Sequence, residues 1–375
     1  MNMKFFVTSA KGLEELVAAE LAALGISGAK TERGGVSFSG RLEDGYRACL
    51  WLRTASRVLL VLAEFPCSSP EELYAGVRTI EWPRYLTPDM TMAVDSVLRD
   101  SAMTHSGFIA LKSKDAIVDS IRDKFGSRPN VDTKLPDLRV NVHLVKNSCT
   151  VSLDMAGEPL DRRGYRLDRN KAPLRENIAA ALVAFSGWSG ETPLYDPMCG
   201  SGTIVIEAAL KASDTAPGLL RERFGCQNWL GHDPTLWRSL LTEAKDLRKR
   251  ELSVRLRGSD RSPGAIEMAQ QNAARAGTGR LASFQAADIC TFEPAASPAM
   301  IIFNPPYGER LGELVELASL YRTFGDILKK RCAGSTAFIL CGNSELVKHI
   351  GLKATRRIPV WNGPIECRLL KYEMY

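Results

Sequence analysis

Two short stretches constrain this chain more than anything else in it: Leu194-Tyr195-Asp196-Pro197-Met198-Cys199-Gly200-Ser201-Gly202-Thr203 and, well downstream, Asn304-Pro305-Pro306-Tyr307. The first reads as the end of a buried strand, a glycine turn and then a helix over 204–211. Gly200 and Gly202 lack a Cβ, so the backbone can turn tightly and a ligand can approach it. The unpaired amides of the following helix then face the crevice beyond the strand. It is not a phosphate loop, because no Gly-Lys-Ser/Thr follows, and the third glycine of a dinucleotide fingerprint is missing. An ordinary strand-to-helix turn is the plain alternative. Asp196 ahead of the glycines and the Asn-Pro-Pro-Tyr behind them argue for more.

From about residue 174 onward, helices alternate with strands, which implies a parallel sheet with right-handed crossovers. The expected strands are 193–195, 253–258, 282–285, 300–303 and 336–340, followed by two more at 356–360 and 367–372. Ser262, Pro263 and Gly277 mark the start and stop of one helix. In such a sheet, ligands sit at the carboxyl ends of the strands. Four of those ends carry a polar residue: Asp196, Asp260, Asp288 and Asn304. Each alone is an ordinary cap or turn residue; their coincidence is the signal.

The preceding half reads as two α+β units divided near Pro66 and Ser68-Ser69-Pro70. The first runs strand, helix, two short strands, helix, strand, in the manner of a ferredoxin-like unit. The second ends in a hairpin, 137–145 with 149–155, turning at Lys146-Asn147-Ser148. The expected domains are 1–66, 67–156, a basic linker 157–172, and 173–375. Residues 1–170 hold 23 Lys and Arg against 22 Asp and Glu, so any basic surface there has to be concentrated on one face. Lys112, Lys114, Arg122, Lys124 and Arg128 are candidates, but Asp115, Asp119 and Asp123 are interleaved with them and a solvated helix face fits equally. The linker is the most basic stretch. Its Arg162-Arg163-Gly164-Tyr165-Arg166 sets guanidinium forks beside an aromatic ring, a combination suited to phosphate contact and base stacking.

Composition narrows the class. A chain of 375 residues supports two or three domains, and 45% hydrophobic with 25% charged residues is ordinary for a globular protein. The nine cysteines are scattered, odd in number and without a Cys-x-x-Cys pair. That argues for reduced thiols in the cytoplasm, against a disulfide framework and against a metal site. No apolar run reaches the length of a membrane span, and the N-terminal run is too short for a signal peptide. A net charge of +6 permits a nucleic-acid partner without demanding one.

Asp-Pro-Met-Cys-Gly-Ser-Gly-Thr followed by Asn-Pro-Pro-Tyr-Gly-Glu-Arg strongly resembles the class I S-adenosylmethionine-dependent methyltransferases that act on exocyclic base amines. Over nearly the whole chain, the nearest likeness is to the THUMP-domain guanine-N2 methyltransferases of large-subunit ribosomal RNA, often labelled N6-adenine DNA methylases. The resemblance implies a Rossmann-like catalytic domain behind a ferredoxin-like and THUMP RNA-binding region, with S-adenosyl-L-methionine as cofactor and RNA as partner. It implies cofactor contacts from Asp196, Pro197, Cys199, Gly200, Gly202, Thr203 and Asn304, with Asp260 at the ribose and Asp288 at the adenine amine. Asp260 lies farther from the glycines than usual because of the insertion at 211–252, whose plain role is packing over the sheet; Asp233 is the nearer acidic rival.

Asn304, Pro305, Pro306 and Tyr307 would be catalytic. The Asn304 amide oxygen and the Pro305 carbonyl can each accept one amine N–H, the prolines stiffen the loop, and Tyr307 offers a face to a flipped base. Arg162, Arg163, Tyr165 and Arg166 would meet RNA. Other readings are a tRNA guanine-N2 methyltransferase, a DNA adenine-N6 methyltransferase, or a non-catalytic RNA-binding assembly factor. Some relatives carry a second, C-terminal methyltransferase domain, and a chain ending at Tyr375 is expected to lack that activity. The target nucleotide and the oligomeric state are not legible.

Overall fold

Strand β1 (Met3–Ser9) turns Phe5 and Val7 wholly inward, the period-two alternation that a half-buried strand requires. The structure, a computed structural model, describes residues 2–166, 174–307 and 311–375, the side chains of 311–314 excepted. The chain divides into two compact units. The first holds Met1–Ser9, Val17–Leu160 and Glu222–Thr242; the second holds Ala10–Leu16, Asp161–Arg221 and Glu243–Tyr375.

The first unit is built on one sheet. Its strands are β1, β2 (Lys30–Glu32), β3 (Gly35–Gly40), β4 (Ala55–Pro66), β5 (Thr91–Arg99), β6 (Asn130–Val131), β7 (Leu138–Val145) and β8 (Ser148–Asp154), in the order β2-β3-β1-β4-β8-β7-β5-β6. Strand β4 pairs antiparallel with both β1 and β8, so the two α+β units read from the sequence share a continuous sheet. The β7–β8 hairpin turns through Lys146 and Asn147, both with positive φ as a two-residue hairpin turn demands. Helices α1 (Glu14–Ala23), α2 (Leu42–Trp51), α3 (Pro70–Arg78) and α4 (Ser106–Phe125), with a 3-10 turn at Trp82–Arg84, complete the sequence of elements up to β8. Helix α3 starts at Ser69, whose hydroxyl accepts the Glu72 amide at 3.2 Å.

The segment Glu222–Thr242 corrects an expectation. Instead of packing over the parallel sheet, it belongs to the first unit. There the Tyr46 hydroxyl lies 2.7 Å from His232 Nδ1, and the Trp237 ring stands edge-on to Tyr46 at 5.1 Å. Burying these rings is the apolar gain that holds the segment in that core.

The second unit carries α5 (Glu176–Phe185), β9 (Leu194–Asp196), α6 (Thr203–Ala212), β10 (Leu256–Asp260), α8 (Pro263–Arg275), β11 (Ala282–Ala286), β12 (Met300–Phe303), α9 (Leu311–Arg331), β13 (Thr336–Cys341), α10 (Ser344–His349), β14 (Arg356–Asn362) and β15 (Ile365–Glu373), while α7 (Pro234–Asp246) begins in the first unit. Its sheet runs β11-β10-β9-β12-β13-β15-β14. The first five strands are parallel; β15 is antiparallel to β13 and to β14. After β11 the chain returns to the other side of β9, so the strand order reverses between β9 and β12. That reversal opens a crevice at the carboxyl ends. Ile302 on β12 packs with α5 and α6 residues on one face, and Ile301 and Phe303 pack with α9 residues on the other.

Candidate active site

The turn after β9 is held by the carboxyl end of β10. The Cys199 amide donates to Ser259 O at 2.9 Å, and the Gly202 amide to Cys199 O at 2.8 Å. Gly200 and Gly202 both have positive φ, +51° and +81°, a conformation that a Cβ disfavours. The two glycines differ in what surrounds them. A Cβ on Gly200 would meet nothing within 4 Å, so this residue faces open space. A Cβ on Gly202 would lie 2.9 Å from Phe284 Cε1 and 3.0 Å from Ala269 Cβ. Gly202 is therefore required by packing against β11 and α8, and the space its missing Cβ leaves is not the ligand's. Thr203 opens α6, is 5% exposed, and its hydroxyl lies 3.3 Å from that of Ser201. Pro197 is buried beside Asp196.

Two carboxylates sit under this turn. Asp196, 2% exposed, accepts the Met198 amide at 3.1 Å. Burial holds its pKa well above the usual carboxylate range, and the neighbouring Asp260 charge adds to the rise. Asp260 accepts the Gly200 amide on Oδ2 at 3.0 Å and the Ser262 amide on Oδ1 at 2.9 Å. No Lys or Arg pairs with either among the described residues. Asp260 thus stands without a cationic partner beside an open glycine turn, and the buried Asp196 next to it is disposed to ionise when a small cationic ligand arrives. Asp288, exposed after β11, caps a single 3-10 turn by accepting the Cys290 amide at 2.8 Å, which keeps its pKa low. Asp233 lies in the first unit, accepting the Thr235 and Leu236 amides at 3.0 and 2.9 Å as the cap of α7.

Asn304 leaves the carboxyl end of β12 half-buried, Pro305 is buried and Pro306 exposed. The Tyr307 hydroxyl donates to Asn304 Oδ1. A Cβ on Gly342 would lie 3.0 Å from Tyr307 Cδ2, so one side of the Tyr307 ring is already covered by backbone. The ring therefore orients the Asn304 amide, and its capacity to stack on a base is limited to what remains open. Sequence reasoning missed two supports of this site. Tyr321 on α9 donates to Pro306 O at 3.2 Å, and the Asn272 side-chain amide, 2% exposed on α8, donates to Ser201 O at 3.1 Å. Neither residue carries a local pattern that marks it. Residues 308–310, the Gly-Glu-Arg of the resembled motif, lie outside the described residues.

The linker needs the largest correction. Arg163 is 1% exposed and its guanidinium lies 3.4 Å from Glu207 Oε1; Tyr165, also 1% exposed, donates to the same oxygen at 3.1 Å. The Arg166 side chain, 7% exposed, donates to Leu174 O at 2.7 Å and lies 3.6 Å from Glu176. These three pack into the second unit, where they tie the linker to α5 and α6, and Arg163 and Tyr165 leave almost no surface for RNA. Arg162 alone of the four is exposed. Arg169 and Lys171 lie outside the described residues. On α4, Arg122 pairs with Asp119 at 3.1 Å and Lys114 with Asp115, Lys112 lies over the Tyr74 ring, and Asp123 is taken by Arg78 of α3. This favours the solvated-face reading over a concentrated basic patch. Among the described residues no cluster of His, Cys, Asp and Glu could hold a metal ion, and no helix is long and apolar enough to cross a membrane.

Comparison with known proteins places these features in a family. Residues 163–371 match the family described as "RMKL-like, methyltransferase domain", residues 4–59 the "RlmL ferredoxin-like domain", and residues 67–154 the "THUMP domain". The chain is 44% identical to "Ribosomal RNA large subunit methyltransferase K/L" of Syntrophotalea carbinolica, covering 99% of this chain and 54% of that protein. The chain thus spans about half the length of the first curated relatives it matches. It is 41% identical to "Putative RNA methyltransferase slr0064" of Synechocystis sp., over 99% of this chain and 97% of that one. Among solved structures, "SMU.472, a putative methyltransferase complexed with SAH" aligns with a TM-score of 0.91 at 29% identity, covering 100% of this chain and 98% of that chain.

Proposed function

The chain belongs to the RMKL-like methyltransferase family, and from that premise we propose that it is a cytoplasmic S-adenosylmethionine-dependent RNA methyltransferase whose target is the exocyclic N2 amine of a guanine in large-subunit ribosomal RNA. The carrying observation is that Asn304-Pro305-Pro306-Tyr307 leaves β12 at the strand-order reversal, next to the glycine turn after β9.

When bound, the cofactor supplies an electrophilic sulfonium methyl group. Its cationic sulfonium and ammonium fit Asp260, which has no cationic partner among the described residues, and the buried Asp196, which a bound cation would ionise, and the open side of Gly200 leaves room for its methionine end. Asp260 retains lone pairs for ribose hydroxyls beyond the two backbone amides it already accepts, and the exposed Asp288 would accept from the adenine amine.

An exocyclic amine is a weak nucleophile because its lone pair is delocalised into the ring. Asn304 Oδ1 and the Pro305 carbonyl each accept one amine N–H, which holds the nitrogen with its lone pair directed at the methyl group. The Tyr307 hydroxyl donates to Asn304 Oδ1 and so fixes the orientation of the amide, whose oxygen keeps a second lone pair for the amine. Alignment and electrostatics supply the acceleration, with no covalent intermediate on the protein. RNA binding falls to the THUMP-type region, residues 67–154, and to exposed cations such as Arg162.

Mass spectrometry of modified nucleosides from a deletion strain tests this reading. Loss of one N2-methylguanosine from large-subunit rRNA is expected. Loss confined to tRNA, or to N6-methyladenine in DNA, would redirect the substrate assignment.

A further inference from the structure

A second opening lies in the methyltransferase unit beside the Asn304–Tyr307 loop. It is a cleft of about 360 Å³ between α10 and the outer strands β14 and β15, with Cys341 and Gly342 at its floor and Val347, Arg357, Glu366 and Arg368 on its walls. A cleft of this size matches one nucleotide-sized ligand. It is continuous with the catalytic loop: the Tyr307 ring lies against Gly342, and the Tyr321 hydroxyl, which donates to Pro306 O, is 3.4 Å from Cys341 Sγ.

The two arginines are placed as a pair. Arg357 is opposite Leu370, and Arg368 is opposite Pro359, on antiparallel strands. Residues 357 and 368 thus share a face as diagonal neighbours, roughly 7–8 Å apart at the backbone, a spacing that two long side chains can close on one group. Both are exposed, and Arg357 has no carboxylate partner among the described residues. Arg368 pairs with Glu366 at 3.5 Å, with both side chains 55% exposed. An ion pair that wet contributes little and can be exchanged for a stronger anion. The cleft therefore offers two guanidinium forks, the donor geometry that matches a phosphodiester.

We propose that this cleft binds the nucleotide flanking the target base in the RNA strand, with Arg357 and Arg368 clamping its phosphodiester, so that the strand is anchored beside Tyr307 while the target amine reaches Asn304. The inference rests on the RNA-methyltransferase reading above. Glu366 is the competing group: it releases Arg368 when the phosphate arrives and disfavours entry until then.

The test uses the full chain with protein-free large-subunit rRNA, measuring methyl-transfer kinetics and, separately, salt-dependent RNA binding in the presence of S-adenosylhomocysteine. Arg357→Ala with Arg368→Ala should raise KM for RNA by about tenfold or more, from the loss of charge-assisted contacts, with kcat and S-adenosylhomocysteine affinity nearly unchanged. The slope of log affinity against log salt should shrink by roughly 0.7, for the one phosphate that the pair neutralises. Glu366→Gln should move KM the other way, an effect that a merely structural role does not produce. Unchanged KM and slope in a double variant that still binds S-adenosylhomocysteine overturn the proposal; should that variant not fold, unchanged values in Glu366→Gln overturn it. A wild-type chain that methylates no RNA defeats the parent reading alone, and the cleft is then judged by the salt slope.

Discussion

The Gly200 amide donates to Asp260 Oδ2 at 3.0 Å, joining the glycine turn after β9 to the carboxyl end of β10. One carboxylate thus sets the shape of the turn and lines the crevice that the turn faces. The two glycines of the turn consequently answer differently to substitution. Gly200→Ala adds a methyl group into open space at the strain of a left-handed alanine, about 1 kcal/mol. It should weaken cofactor binding while the melting temperature moves little. Gly202→Val drives carbon into Phe284 and Ala269 and should lower the melting temperature sharply. Calorimetry beside thermal melts separates the two; equal loss of stability in both variants would refute the assignment.

Asp196 predicts a proton coupled to cofactor binding. Its pKa is raised by burial and by Asp260, and a bound cation lowers it again. Below the raised pKa, binding should release a proton and tighten as pH rises. Calorimetry in buffers of different ionisation enthalpy measures that release. Asp196→Asn should abolish it, and release that persists in this variant assigns the proton elsewhere.

The Arg163–Glu207 pair predicts a structural role for a residue that reads as an RNA contact. Both side chains are essentially buried, at 1% and 0% exposed. Removing one partner strands a buried charge, at a cost of about 3–5 kcal/mol. Arg163→Ala should therefore destabilise the fold, whereas Arg162→Ala should leave the unfolding midpoint in denaturant nearly unchanged. Equal midpoints for the two variants would contradict the burial.

Glu176 gives a pH dependence with a definite sign. Its pKa rises from 4.5 to about 7, chiefly through burial, with Arg166 opposing the rise. A carboxylate whose folded pKa is raised contributes stability that is complete below pH 4.5 and lost as the pH climbs to about 7. Relative to the wild type, Glu176→Gln should gain stability as pH goes from 5 to 8. Denaturation midpoints across that range decide it; a pH-independent difference would show that Glu176 does not titrate there.

Much of this site is legible in the sequence because punctuation residues mark it. Glycines with positive φ, Asp and Asn at strand ends and the rigid Pro305-Pro306 are local signals, and the parallel sheet follows from alternation with helices. What escaped depends on partners distant in the chain. An arginine reads as surface until its carboxylate is visible, and Glu207 lies 44 residues beyond Arg163. The placement of Glu222–Thr242 rests on Tyr46 meeting His232 and Trp237, a match that no local pattern encodes. The strand β6 is two residues long, too short to show alternation.

The most direct measurement is nucleoside analysis of RNA incubated with the purified chain and methyl-labelled S-adenosylmethionine, wild type beside Asn304→Ala. The account predicts label in N2-methylguanosine from large-subunit rRNA, and a fall on the order of a hundredfold in rate for Asn304→Ala at unchanged cofactor affinity, the usual loss on deleting one transition-state hydrogen bond. Label in N6-methyladenine or in DNA, or undiminished transfer by Asn304→Ala, would contradict it.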